Sequence, residues 1–357
     1  MRAKFRRHPV RKRFPRGRPG GFDGPDLNPE GSPTETPPYP DSGTRAGRDA
    51  WILARREGIA RNAGLDPRRP SHWLRESEPD PDGGQATILT VFLTNRECPW
   101  RCLMCDLWRH TLEEPVPEGA IPEQVRIALD EDRRRPTEPP RWLKLYNAGS
   151  FFDAGAIPRQ DLPAIAQHAR AFKRLVVECH PGLVRDSTVL PFREALGADT
   201  TLELALGLET AHPGVLDRLN KGVDLEGFRR AAEWTRRHGL GLRVFVLVRP
   251  PFLDESEALD WACRSIGFAF DCGAQTVSLI PTRAGNGALE WLAAHGQFAP
   301  PRPETLEAAL AHGLSLGRGR VFADTWDLDR LEPDPVRRRS LRQRLEHANR
   351  TQQVDKG

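Results

Sequence analysis

Long hydrophobic runs are missing from this chain of 357 residues. No apolar segment approaches the roughly 20 residues that a helix needs to cross a bilayer, and the basic N-terminus lacks the apolar core of a secretory signal. We therefore expect a cytoplasmic protein without a membrane partner. Cysteine is scarce as well, at six residues. In a reducing compartment, so few thiols indicate metal or redox chemistry before they indicate disulfides.

Positive charge is concentrated at one end of the chain. Residues 1–18 contain nine Lys or Arg and no acidic residue, whereas the remaining sequence is slightly acidic. Residues 1–45 are also rich in Pro and Gly and lack hydrophobic periodicity, which predicts a disordered tail. Such a basic tail is typical of contact with RNA or another polyanion. A solvated tail without any partner explains the composition at least as well.

From residue 87 onward, short apolar runs alternate with helical segments. The runs predict strands at 88–93, 142–146, 174–179, 201–208, 242–248 and 276–281, with a further edge strand within 320–328. Helices are predicted between them at 122–135, 162–172, 190–196, 225–238 and 256–272. Nearly continuous apolar strands separated by helices favour a parallel sheet that is buried on both faces. The pattern predicts an α/β fold, either an open doubly wound sheet or a partial (β/α) barrel.

The same patterns divide the chain into four segments. These are a disordered tail (1–45), a helical N-terminal extension (46–85), the parallel sheet domain (86–285) and a C-terminal extension that ends in a charged helix (286–357).

Three cysteines follow directly after the first predicted strand. Cys98, Cys102 and Cys105 have a C-x3-C-x2-C spacing on one short polar loop. Thiolates are the usual ligands of iron–sulfur clusters, and three of them can hold three irons of a four-iron cubane. The fourth iron would remain open to a small molecule, as one position of a catalytic metal site does. The spacing therefore predicts a [4Fe–4S] cluster with one free coordination position.

A structural zinc site is the alternative interpretation of this loop. His110 follows Cys105 by five positions and would complete a tetrahedral Cys3His set. Zinc loops usually pair two short ligand clusters, however, and this spacing is unusual for them. The remaining cysteines lie in strand or helix patterns that are typical of small buried hydrophobic residues.

The cysteine loop resembles that of the radical S-adenosylmethionine (SAM) superfamily, and the resemblance extends over roughly residues 85–285. It implies a partial (β/α)6 TIM-like barrel of parallel strands with helical N- and C-terminal extensions. It also implies that the amino and carboxylate groups of SAM chelate the fourth iron. An external electron donor would reduce the cluster, and reductive cleavage of SAM would give a 5′-deoxyadenosyl radical that abstracts hydrogen from the substrate.

Polar residues at the C-terminal ends of the strands are implied to contact SAM, because reactive groups collect there in parallel barrels. They are Asn147, Gly149 and Ser150 after the second predicted strand, Glu178 in the third, Glu203 and Glu209 in the fourth, and Arg249 after the fifth. Met104, before the last cysteine, is implied to pack near SAM. An ordinary turn at 147–150 and a surface ion pair at Arg249 are the simpler alternatives. No catalytic residue towards the substrate is identified.

Several stretches, among them CPWRCLMCDLW, KLYNAGSFFD and VRPPFLDE, resemble the Elp3-like subgroup and the radical SAM subunits of archaeosine synthases. These act on a modified base in tRNA, which implies a tRNA substrate. A radical SAM enzyme that acts on a small metabolite or peptide, and a non-catalytic zinc-binding interaction module, are the alternatives. The sequence leaves the oligomeric state open.

Overall fold

An eight-stranded sheet lies at the centre of the part of the chain that the structure describes. This computed structural model describes residues 37–41 and 43–354, so the predicted tail at 1–45 lies almost wholly outside it. The strands are β1 (His72–Pro79), β2 (Gln85–Leu93), β3 (Trp142–Asn147), β4 (Arg174–Cys179), β5 (Thr201–Glu209), β6 (Gly241–Val248), β7 (Thr276–Pro281) and β8 (Arg320–Ala323). All of them belong to the unit Pro40–Gly357.

Parallel pairing dominates this sheet. The strand order is the chain order from β1 to β8, β1 pairs antiparallel with β2, and every later pair of neighbours is parallel. A doubly wound sheet reverses its strand order at a switch point, and this sheet does not. It curls until Arg320 of β8 donates a hydrogen bond to the carbonyl of Pro79 in β1, at 2.9 Å. The predicted α/β fold is confirmed as the partial barrel.

Helices follow most of the strands and cover the outside of the sheet. They are α1 (Arg45–Ala54), α2 (Ala120–Arg133), α3 (Leu162–Ala169), α4 (Asp186–Leu196), α5 (Pro213–Arg218), α6 (Leu225–Arg237), α7 (Glu255–Asp271), α8 (Ala288–Ala294), α9 (Pro303–Ser315) and α10 (Pro335–Thr351). Aspartate is the N-cap residue of α6, α7 and α10. At the start of α6, for example, the carboxylate of Asp224 accepts the backbone N–H of Gly227. None of the helices within the described ranges has the length and apolarity of a membrane-spanning segment.

Strand β1 was not predicted. It lies within 46–85, the segment interpreted as a helical extension. Its sequence HWLRESEP contains three charged residues within four positions, which hides the hydrophobic signal of a strand. In the structure these charges have partners, because Arg75 binds Asp132 of α2 at 2.5 Å and the two glutamates bind cations inside the barrel.

Helix α10 joins the two edges of the curled sheet. Its apolar stripe buries Leu341 and Leu345. The amide of Asn349 exchanges hydrogen bonds of 2.8 Å with the backbone of Ala323 in β8, and Gln85 of β2 donates to the carbonyl of Arg350 at 2.9 Å. The arginine-rich sequence predicted a solvated face, and the opposite face of the helix is the one that closes the sheet.

A buried network of ion pairs fills the barrel at the N-terminal ends of its parallel strands. Glu78 of β1 lies 2.7 Å from Arg243 of β6, which also lies 2.9 Å from Glu203 of β5. Lys144 of β3 binds Glu76 at 2.8 Å and also contacts Glu78. Burial alone would raise the pKa of Glu78, but Arg243 and Lys144 outweigh it and hold that pKa below its usual value. The network therefore ties β1 across the interior to β3 and β6.

We predict that Glu78→Gln destabilises the fold, because it removes the partner that Lys144 and Arg243 share and leaves one unit of positive charge in the buried network uncompensated. The free energy of unfolding, measured by urea denaturation, should fall by about 3–5 kcal/mol. Glu233→Gln is the matched control, since Glu233 is exposed and lies 3.9 Å from Arg237; its effect should stay within about 0.5 kcal/mol. Equal effects of the two substitutions would contradict the role of the network.

Candidate active site

The cysteine loop follows β2 at the C-terminal mouth of the barrel. Cys98, Cys102 and Cys105 are all partly exposed there. Burial raises the pKa of the Cys102 thiol to about 12. Burial also raises the pKa of Cys105, and the neighbouring Cys102 and Cys98 raise it further. The loop thus brings the three sulfur atoms within electrostatic range of one another.

Ion pairs and stacking fix the rim of this loop. Glu97 binds Arg56, beyond the end of α1, at 2.6 Å and Arg61 at 2.8 Å. On the other side, the ring of Trp100 stacks on His180, with ring centres 3.8 Å apart and planes 14° from parallel. The loop is therefore anchored both to the N-terminal segment and to the turn that follows β4.

The segment after β3 lies against the first cysteine. Gly149 has φ +145°, and a Cβ atom at this position would lie 2.8 Å from the Cβ of Cys98. Only glycine allows the backbone to pass so close to the cysteine. Ser150 is fully buried and its Oγ accepts the backbone N–H of His180 at 3.0 Å. Ser150 therefore joins two loops and does not face the mouth.

The side chain of Asn147 is buried at this site without hydrogen-bond partners among the described residues. Its side chain is 4% exposed, and neither its amide nitrogen nor its amide oxygen has a hydrogen-bond partner among the described residues. A buried amide without partners is costly, and in native proteins it indicates an unplaced ligand, water or ion. The end of β3 thus offers one donor and one acceptor to a bound molecule.

A protonated carboxyl group lies beside this amide. Glu178, at the end of β4, accepts the backbone N–H of Asn147 at 3.2 Å. Burial raises the pKa of Glu178 to about 8. At neutral pH this side chain can therefore both donate and accept a hydrogen bond.

A buried ion pair completes the mouth. Glu209, which ends β5 with φ +68°, lies 2.6 Å from the ammonium group of Lys221. The positive charge of Lys221 lowers the pKa of Cys102, although burial of that thiol has the larger, opposite effect. The sequence at 219–222, Leu-Asn-Lys-Gly, has the pattern of a helix stop, and nothing in it shows that Lys221 is buried against a glutamate from another element.

Two archaeal proteins that carry the same name resemble this chain in sequence. No protein-family profile matches the chain. Archaeosine synthase subunit beta of Methanosarcina acetivorans is 29% identical over 229 residues, which is 62% of this chain and 65% of that protein. The same subunit of Thermococcus kodakarensis is 30% identical over 205 residues, which is 55% of this chain and 62% of that protein. The chain is similar in sequence to archaeosine synthase subunit beta over 55–62% of its length. The resemblance predicted from the sequence is confirmed.

The relationship to archaeosine synthase subunit beta has a limited extent, because the chain spans just under two thirds of the length of these relatives. Among solved structures, an archaeal Elp3 from Methanocaldococcus infernus is 17% identical, with a TM-score of 0.45 over 57% of this chain and 51% of that one. Coproporphyrinogen III oxidase (HemN) from Escherichia coli, a radical SAM enzyme, is 15% identical, with a TM-score of 0.41 over 75% and 55% of the two chains.

Two of the residues implied to contact SAM form ion pairs within the protein. Glu203 is fully buried and pairs with Arg174 at 2.7 Å and with Arg243, in the network at the other end of the barrel. Arg249 donates to the carboxylate of Glu255 at 2.7 Å and to a backbone carbonyl at 2.8 Å, so the ion-pair alternative is correct for it. The position of a residue at a strand end does not by itself reveal which charged groups already have partners.

The side chain of Met104 is partly buried against apolar neighbours. It contacts a small apolar cluster that includes Val215, Leu219, Leu247 and Leu253. This position keeps its side chain beside the mouth, between the cysteine loop and the ends of α5 and β6.

The donors of the cysteine loop suit an iron–sulfur cluster. Cysteine ligands of a cubane bind separate irons, so their sulfur atoms need not converge on one point as they do around a single ion. Within 37–41 and 43–354, no three His, Cys, Asp or Glu side chains form a group that could hold one metal ion. His110, the fourth ligand of the zinc interpretation, has its Nδ1 2.8 Å from the amide nitrogen of Asn62.

The raised pKa of Glu178 predicts a measurable cost in stability. Between the pKa of an unfolded glutamate, near 4.5, and about 8, the folded chain keeps a proton that the unfolded chain has lost, so stability falls as the pH rises. Glu178→Gln removes this dependence while an amide oxygen still accepts from Asn147. The variant should be more stable than wild type by about 1–3 kcal/mol near pH 8 and nearly equal near pH 4.

Chemical denaturation across this pH range measures the difference. Glu194→Gln is a suitable control because Glu194 is exposed on α4. A wild-type pH dependence that survives in Glu178→Gln would show that Glu178 ionises normally.

Proposed function

We propose that this chain is a radical SAM enzyme that binds a [4Fe–4S] cluster through Cys98, Cys102 and Cys105. The observation that carries the proposal is the meeting of three thiols with an unpaired buried amide, that of Asn147, at the C-terminal mouth of a parallel barrel. When bound, the cluster and SAM supply reductive cleavage to a 5′-deoxyadenosyl radical, which abstracts hydrogen from substrate.

The chain's own residues would bind and orient SAM at this mouth. The backbone at Gly149 passes directly beside Cys98, next to the site proposed for the cluster. The amide of Asn147 and the carboxyl group of Glu178 offer hydrogen bonds to its polar groups. Glu209, held by Lys221, lies near the same loop. These contacts support the sequence-based roles of Asn147, Gly149, Glu178 and Glu209.

Ligands would reach the proposed site through the mouth of the barrel, and such one-sided access favours radical chemistry. The ion network fills the opposite end of the barrel, where Arg243 is 2% exposed. Helix α10 and strand β8 cover the side. SAM and substrate would therefore meet at the mouth, where bound ligands exclude the water that quenches reactive intermediates.

A base in tRNA is the substrate that we propose. Support comes from the relatives named archaeosine synthase subunit beta and from the basic segment at residues 1–18, which suits a polyanion. The electron for SAM cleavage would come from an external donor. The cytoplasm is the proposed location, since the cysteine thiols require a reducing compartment.

Replacement of one proposed cysteine ligand tests whether the chain binds the cluster. Anaerobic reconstitution with iron and sulfide should give wild-type protein about four irons per chain and SAM cleavage with a reductant. Cys102→Ala should fold but lose both the cluster absorbance and SAM cleavage. Cys263→Ala, in α7, is the control and should keep both. Zinc in place of iron in the wild type, or unchanged iron in Cys102→Ala, would refute the proposal.

Addition of bulk tRNA to the same assay tests whether tRNA is the substrate. We expect tRNA to increase formation of 5′-deoxyadenosine and to acquire a mass change at one nucleoside. SAM cleavage that tRNA leaves unchanged, but that a small metabolite or peptide increases, would assign the enzyme to another substrate class.

A further inference from the structure

Two asparagines from outside the cysteine loop bind its backbone carbonyls. Asn286, between β7 and α8, donates from Nδ2 to the carbonyl of Leu103 at 2.7 Å and to that of Cys105 at 3.3 Å. Asn220, just beyond α5, donates from Nδ2 to the carbonyl of Arg101 at 2.9 Å. The contacts reach the residues on either side of the second cysteine and the third cysteine itself.

Both amide groups are held in place by second contacts. The Oδ1 of Asn286 accepts the backbone N–H of Leu289, in the first turn of α8, at 2.9 Å. The Nδ2 of Asn220 also donates to the carboxylate of Asp49 in α1, at 2.7 Å. The two residues are 2% and 4% exposed, so water does not compete for these bonds. Each donor therefore points at the loop in one fixed orientation.

The loop contributes little to its own conformation between the second and third cysteines. Its backbone there makes one internal bond among the described residues, from the N–H of Cys105 to the carbonyl of Cys102 at 3.2 Å. The N–H of Leu103 donates outward instead, to the carbonyl of Leu219 at 2.9 Å. The path of the chain around Cys102 and Cys105 is thus set by the neighbouring elements.

We propose that Asn286 and Asn220 are positioning residues, which hold the cysteine loop in the conformation that receives the cluster. The inference rests on the proposed cluster at Cys98, Cys102 and Cys105. Three thiolates bind one cubane well only if their spacing is set before binding, and groups that orient metal ligands typically change affinity by about 10- to 100-fold when they are replaced. The asparagines act on cluster retention through backbone carbonyls and touch no reacting atom.

The variant Asn286→Asp distinguishes a positioning role of Asn286 from a general effect on the stability of the fold. The carboxylate keeps the size of the side chain and still accepts the N–H of Leu289, so the start of α8 is preserved. It loses the donor, however, and places an oxygen against the carbonyls of Leu103 and Cys105. Asn349→Asp is the matched control, because the amide of Asn349 also both donates a hydrogen bond to a backbone carbonyl and accepts one from a backbone N–H. Its partner is Ala323, where α10 packs against β8.

The measurement is the rate at which reconstituted full-length protein loses its cluster to a ferrous-iron chelator, followed by absorbance and by the EPR signal of the reduced cluster. Asn286→Asp should lose the cluster about 10- to 100-fold faster than wild type. Asn349→Asp should match wild type in this rate even where its melting temperature falls. Asn220→Asp is the second variant, should Asn286→Asp fold poorly, and is expected to lose the cluster faster as well.

The outcomes distinguish this inference from the proposed function. If wild type holds the cluster and both Asn286→Asp and Asn220→Asp retain it equally well, the inference is overturned and the proposed function stands. Loss that is equally fast in Asn349→Asp overturns it too, because general destabilisation would then explain the effect. A wild-type chain that takes up no cluster overturns both.

Discussion

Parallel pairing is the constraint on which the rest of this molecule depends. From β2 onward each strand runs in the same direction as its neighbours, so the loops that follow successive strands emerge at one edge of the sheet. Cys98, Asn147, Glu178 and Glu209 are widely separated in the chain, yet they meet at this edge. In an antiparallel sheet, alternate loops would lie at opposite ends.

The two ends of the barrel differ in how far their polar groups are satisfied. At the N-terminal end, Glu78, Glu203, Lys144 and Arg243 are buried and matched with partners of opposite charge. At the mouth, the amide of Asn147 has no partner among the described residues, and Glu178 keeps its proton at neutral pH. Paired charges thus fill the closed end of the barrel, and an unpartnered buried amide lies at the end where a ligand can bind. This division is typical of barrels whose chemistry lies at the C-terminal face.

The hydrophobic pattern predicted the strands of the barrel well because each is a continuous apolar run. The run at 142–146, for example, corresponds to β3, and 276–281 has the same bounds as β7. The pattern failed for β1, whose charged residues are buried in ion pairs that single-sequence patterns do not reveal. It failed for Glu203 for the same reason. A glutamate on an apolar strand requires a partner, and only the fold shows that this partner is Arg243 rather than a cofactor.

The sequence by itself determined the local features: the cysteine spacing, the alternation of strands and helices, and the resemblance that links them to archaeosine synthase relatives. These depend on residues close together in the chain. Only the tertiary structure decided which distant residues share an environment. It paired Lys221 with Glu209 and Arg249 with Glu255, placed Glu203 in the ion network at the other end of the barrel, and brought Asn286 to the backbone of the cysteine loop. Such partners are chosen by the curling of the sheet and by the burial of each side chain, and neither quantity is a property of a short stretch of sequence.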